Sequence, residues 1–335
     1  MGHRALTTWL VIVAAVALLG GACSDNDDDG EARSSATTTD ASMADAPTTS
    51  TTLPTATPAA TDVEYATTSD AQRLDLYLPK GSPPYPLVIL VHGGGWFTGD
   101  KANEWMLGAI PVLADAGYAV AAINYRLVEE ATFPAQILDA KAAVRWLRAH
   151  AAELGLDPNR FAAVGESAGA HLAALLGTSA GEAALDDPAL GNTGVSSAVQ
   201  AVVDFYGPVD LVAADAQLRE NPACAASARP PEQPDPASSD LLGGPPAEMA
   251  ELAATANPIT YVSSAREIAP FFIAHGDADC VVPYQGSVAL HEAIEAAVGP
   301  GRSQLTIVPG SGHYDQFDYA SQVPAALAFL DATIG

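Results

Sequence analysis

The chain reads Val-Gly-Glu-Ser-Ala-Gly-Ala-His at residues 164–171. Within it, Gly165-Glu166-Ser167-Ala168-Gly169 fits the pattern G-x-S-x-G. Glycines flank a serine where a strand turns into a helix, a bend too sharp for bulky neighbours. Such a turn lifts the serine hydroxyl into a cleft, and the helix starting there aims N–H groups at any developing negative charge. The alternative is a Gly/Ser helix cap. The strand expected before Ser167 and the helix expected after it favour the nucleophile.

A serine hydroxyl is a weak nucleophile without a base. Seven histidines are available. His3 lies in the leader, His150 near a helix end and His291 in mid-helix. His171 falls in the helix after Ser167, where packing is the simpler role. His92 and His275 fall near strand ends and are expected to orient loops. His313, in Ser-Gly-His-Tyr-Asp after a late strand, is the expected general base. An acid that fixes the imidazole tautomer belongs between serine and histidine in chain order. The stretch His-Gly-Asp-Ala-Asp-Cys-Val-Val-Pro, residues 275–283, offers both Asp277 and Asp279. An oxyanion needs N–H donors, and His-Gly-Gly-Gly-Trp, residues 92–96, supplies bare backbone after a buried strand. A phosphate cradle would need a following Lys-Ser/Thr, which is missing here.

These residues need a scaffold. Apolar runs at 73–79, 86–96, 118–127, 199–207, 270–276 and 304–310 read as strands, with another entering Ser167. Helices are expected at 103–116, 137–155, 284–297 and 319–333, the second closed by Gly155. The alternation implies a mostly parallel sheet with helices on both faces. Every motif above then falls at the carboxyl end of a strand, where sites of such sheets collect.

Composition narrows the partners. The net charge is −26 with only 14 Lys plus Arg among 335 residues. A nucleic-acid backbone or an anionic membrane would be repelled. Residues 1–22 have the layout of an export signal, and Leu-Leu-Gly-Gly-Ala-Cys is similar to a bacterial lipoprotein cleavage site, which would put lipid on Cys23. A cell-surface lipoprotein is therefore expected, or else a secreted protein. Residues 23–62 are rich in Thr, Ser, Asp and Pro and read as a disordered stalk. The catalytic domain is expected over 63–335. With Cys23 lipidated, Cys224 and Cys280 remain, and in an oxidising compartment their disulfide is the expectation.

Together the motifs resemble the α/β-hydrolase superfamily, and within it the carboxylesterases of the bacterial feruloyl/acetyl-xylan esterase group and the hormone-sensitive-lipase-like esterases. The resemblance covers about residues 65–335. It rests on HGGGWFTGDK (92–101), NYRL (124–127), GESAGAHLAAL (165–175), DFYGPVDL (204–211), HGDADCVVP (275–283) and GSGHYD (310–315). It implies an α/β-hydrolase fold with a small lid insertion at about 208–258. In the family pattern HGxxDxxVP the acid maps to Asp279, leaving Asp277 at a variable position. The oxyanion hole maps to Gly94, Gly95 and Ala168, with the choice of glycines open by one residue. The implied reaction is hydrolysis of small acyl esters, acetyl or feruloyl, by Ser167, His313 and Asp279 through an acyl-enzyme. No metal or cofactor is expected, and Trp96 and Tyr206 are candidate pocket walls. The competing readings are an arylformamidase or peptidase on the same fold and a non-catalytic hydrolase-like surface protein. The substrate is expected to be a small-molecule or polysaccharide-borne ester.

Overall fold

The computed structural model describes residues 56–335. The expected signal at 1–22, the lipidated Cys23 and most of the 23–62 stalk lie outside the described residues.

The strands are β1 (Ala60–Glu64), β2 (Arg73–Tyr77), β3 (Tyr85–Val91), β4 (Ala119–Ile123), β5 (Leu156–Glu166), β6 (Ala201–Phe205), β7 (Phe271–Gly276) and β8 (Ser303–Val308). They form one sheet in the order β1-β2-β4-β3-β5-β6-β7-β8. β1 and β2 join by antiparallel pairing, and every pair from β4 to β8 is parallel. β1 begins at Ala60, so the folded part takes in residues 60–62, which the stalk reading had claimed. Its side chains are mostly exposed, and an edge strand without an apolar stripe leaves no period-two signal.

The helices are α1 (Glu104–Asp115), α2 (Ala135–Ala149), α3 (Ala151–Leu154), α4 (Ala168–Thr178), α5 (Ala214–Glu220), α6 (Pro236–Leu242), α7 (Ala250–Ala256), α8 (Tyr284–Val298) and α9 (Tyr319–Thr333). The expected 137–155 helix is two helices, broken at His150 and closed by Gly155 in the left-handed region at φ 71°. Side chains of β3 alternate between two cores. Leu87, Ile89 and Val91 pack with Ile137, Leu147, Leu172 and Leu290, whereas Val88 and Leu90 pack with Ile110, Leu113, Phe329 and Leu330. A parallel sheet buried on both faces follows directly from strands that are apolar at every position.

The sheet and the helix after Ser167 touch without intervening side chains. A Cβ at Gly169 would lie 2.0 Å from the Val91 carbonyl oxygen, and one at Gly165 would lie 2.3 Å from the Gly169 carbonyl carbon. Backbone cannot yield as a flexible side chain can. Gly169→Ala is therefore expected to cost about 3 kcal/mol or more, measured by urea unfolding. A variant as stable as the parent would show that α4 can move away from β3.

Candidate active site

Strand β5 runs straight into α4, and Ser167 is the one residue between them. It holds φ 52° and ψ −123°, a conformation costly for a residue with a Cβ. Its N–H donates to the Phe205 carbonyl at 3.0 Å, which holds the turn against β6. Ala168 opens α4, so its N–H has no partner within the helix.

His313 follows β8, and Asp279 follows β7. Strands β5, β6, β7 and β8 are neighbours in the sheet, which brings Ser167, Asp279 and His313 together at their carboxyl ends. His313 Nε2 lies 3.0 Å from Ser167 Oγ, and His313 Nδ1 lies 2.6 Å from Asp279 Oδ2. Asp279 is fully buried. Its Oδ1 accepts the N–H groups of Val281 and Val282, each at 2.9 Å. Burial alone would raise its pKa, but hydrogen bonds from His275 and His313 outweigh that and hold the carboxyl well below the usual range. Since Asp279 is ionised at neutral pH, Nδ1 of His313 carries the proton and Nε2 is left to accept one from Ser167. That is the arrangement general-base activation of a serine needs.

Asp277 takes another role. Its Oδ1 accepts the Gly310 N–H at 2.6 Å, and its carbonyl accepts Asn221 Nδ2 at 3.0 Å. It ties the acid loop to the His313 loop and the insertion rather than facing the imidazole.

The glycine loop follows β3. Gly94 and Gly95 have φ of 98° and 59°, in the region glycine tolerates, and a Cβ on Gly94 would lie 2.2 Å from the Thr98 carbonyl oxygen. The Gly93 N–H is already committed to Glu166 Oε1 at 3.1 Å. His92 braces the loop: its Nδ1–H donates to the Gly93 carbonyl at 2.8 Å, and its ring stacks on Tyr125 at 4.3 Å. Tyr125 OH in turn donates to the His92 carbonyl at 2.9 Å. Arg126, next in the NYRL stretch, pairs with buried Asp139 on α2 at 2.8 Å.

A family model described as BD-FAE matches residues 74–294, well over half of the chain. The chain belongs to the BD-FAE family. Among curated relatives, esterase LipC of Mycobacterium tuberculosis is 33% identical over 266 residues, covering 77% of this chain and 60% of that protein. Esterase LipQ of the same organism is 33% identical over 270 residues, covering 78% and 58%. This BD-FAE chain thus spans about 60% of the length of these relatives. Among solved structures, a truncated carbohydrate esterase from gut microbiota superposes with a TM-score of 0.68 at 31% identity, covering 82% of this chain and 96% of that one. Esterase Est2 of Thermogutta terrifontis gives 0.60 at 26% identity, covering 81% and 91%. The mostly parallel eight-stranded sheet is that of these α/β-hydrolase esterases, as the motifs implied.

In this BD-FAE protein the cleft beside Ser167 spans about 510 Å³, including its open mouth. Gly95, Trp96 and Ala168 line one part, and Val281, Val282 and Pro283 another. The insertion closes the rest with Leu211, Leu218 and a polar group: Arg229 lies 3.0 Å from Asp235 and 3.7 Å from Asp215. Trp96 is therefore a wall of the cleft. Tyr206 is not: it is fully buried behind His313, ring centroids 4.6 Å apart, with its OH donating to Glu166 Oε2 at 3.2 Å. His171 packs, as expected. Its Nε2–H donates to the Ala256 carbonyl at 2.7 Å, its ring meets Trp96 edge-on, and burial pushes its pKa down to about 4.

Glu166 is the site residue that the sequence reading left without a role, whereas His275, expected to orient a loop, holds the acid loop. His275 Nε2 faces the Val282 carbonyl at 3.0 Å and Asp279 Oδ2 at 3.3 Å, both acceptors, so this nitrogen carries the proton. Ser287 OH then donates to His275 Nδ1 at 2.7 Å. The signal for His275 is its place four residues before Asp279 at the end of a buried strand.

Cys224 and Cys280 form a disulfide across 56 residues of chain. Cys280 is the neighbour of Asp279, so the bond fastens the insertion to the acid loop. Cys224→Ala/Cys280→Ala is expected to lower stability by about 2–4 kcal/mol, with a smaller fall in turnover, read by denaturant melts and initial rates. Unchanged stability would mean that the buried contacts of the insertion hold the loop unaided.

Proposed function

We propose that this protein is a serine carboxylesterase that hydrolyses small acyl esters, acetyl or feruloyl, through an acyl-enzyme. The observation that carries this reading is the hydrogen-bonded line from Ser167 Oγ through His313 to buried Asp279. Ser167 attacks the ester carbonyl while His313 takes its proton. The alcohol leaves with that proton, and a water activated by His313 then hydrolyses the acyl-enzyme. The oxyanion is held by Ala168 N–H and by Gly94 and Gly95. Gly93 is spoken for by Glu166, which supports the later two glycines.

The cleft supports a hydroxyl-rich alcohol portion. Arg229 is outnumbered by Asp215 and Asp235, so this wall carries no net positive charge to draw an anionic ligand, yet it offers donors and acceptors to hydroxyls. The carbohydrate-esterase neighbour supports the same substrate class. The disulfide supports a location outside the reducing cytosol, in line with the leader and the Cys23 lipoprotein reading.

The test uses purified protein. It should release p-nitrophenol from p-nitrophenyl acetate and take up one fluorophosphonate, mapped by mass spectrometry to the peptide carrying Ser167. Acetylated xylan, methyl ferulate and N-formylkynurenine then rank the acyl and alcohol portions. Absence of both turnover and adduct would overturn the esterase reading, and preference for N-formylkynurenine would move it to an arylformamidase.

A further inference from the structure

We propose that Glu166 is a positioning residue that anchors the glycine loop to the nucleophile turn and to Tyr206, whose ring packs against His313. This rests on the esterase reading of the same site.

Glu166 is the last residue of β5, so its backbone leads directly into Ser167. Its side chain turns inward and is almost wholly buried. Oε1 accepts the Gly93 N–H at 3.1 Å, and Oε2 accepts the Tyr206 OH at 3.2 Å. The Tyr206 and Tyr319 hydroxyls form a further short hydrogen bond. One carboxylate therefore touches the first glycine of the loop on one side. On the other it touches the tyrosine whose ring lies against His313. The fit at Gly93 is close, because a Cβ there would lie 2.5 Å from Glu166 Oε1.

Both oxygens lie within hydrogen-bond reach of a partner, so the carboxyl is held at two points. The titratable groups around it are His313, Tyr125, Tyr206, Tyr314 and Tyr319. Among them only His313 becomes positive. Burial pushes the Glu166 carboxyl up to about 7, opposed by His313 and by the Gly93 N–H. Held at both ends, the side chain keeps the glycine loop and the Tyr206 ring in place beside Ser167 and His313.

Glu166→Gln and Glu166→Ala test the anchor. Gln can still accept the Gly93 N–H, whereas Ala cannot. Glu166→Ala is expected to lower kcat by about 10-fold or more through a displaced loop. Glu166→Gln should recover most of that loss. A role confined to stability would change melting temperature and leave kcat of the folded protein in place. A Glu166→Ala kcat equal to the parent's, or a Glu166→Gln kcat no higher than that of Glu166→Ala, overturns the proposal. If Glu166→Ala does not fold, Glu166→Asp, one methylene too short to span Gly93 and Tyr206, replaces it. Turnover and Ser167 labelling by the parent are measured alongside, so failure of the esterase reading shows as an inactive parent and failure of this inference as an unchanged variant.

Discussion

Ser167→Ala is expected to lower kcat on p-nitrophenyl acetate by about 10⁵-fold or more, with melting temperature nearly unchanged. The hydroxyl makes one side-chain hydrogen bond, to His313 Nε2, so its loss leaves no buried donor stranded. The strained backbone is set by the Phe205 carbonyl and by the glycines around it, not by the hydroxyl. An alanine at φ 52° pays the same steric cost as the serine it replaces. What is lost is the nucleophile alone. Residual hydrolysis would come from the N–H groups of Ala168 and the glycine loop acting on water. A variant that kept more than about 1% of the rate would move the nucleophile elsewhere.

The second large effect is Asp279→Asn, expected to lower kcat by about 10⁴-fold, the size seen when a buried triad aspartate becomes an amide. Both Asp279 oxygens are surrounded by donors: two backbone N–H groups on Oδ1, and His313 and His275 on Oδ2. An amide must turn its NH₂ toward one side or the other. Facing His313, it drives that ring to the tautomer with the proton on Nε2, which cannot accept the Ser167 proton. Facing Val281 and Val282, it sets donor against donor and loosens the loop. Asp277→Asn retains an acceptor for the Gly310 N–H and should change kcat less than about threefold. Steady-state rates of the two variants decide the matter, and the opposite ranking would reassign the acid.

The acidity of Asp279 also fixes a stability trend. Its folded pKa lies below the unfolded value, so its contribution is present above the ordinary carboxyl range and fades as the pH falls toward the folded value. Unfolding free energy of Asp279→Asn should consequently depend less on pH on the acid side than that of the parent.

Much of this was legible in local pattern. Apolar runs such as Leu87–Val91 read as strands buried on both faces, and the helix expected over 103–116 runs from Glu104 to Asp115, with Asn103 as its cap. G-x-S-x-G identified its serine because Gly165 lets the end of β5 touch the first turn of α4, and Gly169 lets α4 touch β3. The glycine run at 93–95 was visible for the same reason, since backbone that must approach a ligand cannot carry side chains. The three short insertion helices α5, α6 and α7, of seven residues each, were not legible, because two turns hold too little periodicity to stand out.

The chain by itself therefore determined the strand–helix alternation, the order of serine, acid and histidine, and the pair of cysteines left to bond. Those are properties of composition, period and spacing along one dimension. Only the tertiary structure decided what depends on direction. Asp277 and Asp279 differ by two positions, yet one points at Gly310 and the other at His313. Tyr206 turns away from the cleft to Glu166, and Glu166 reaches back 73 residues to Gly93. Such choices are made by side chains from separate strands meeting at the carboxyl end of the sheet, where distance along the chain carries no information about distance in space.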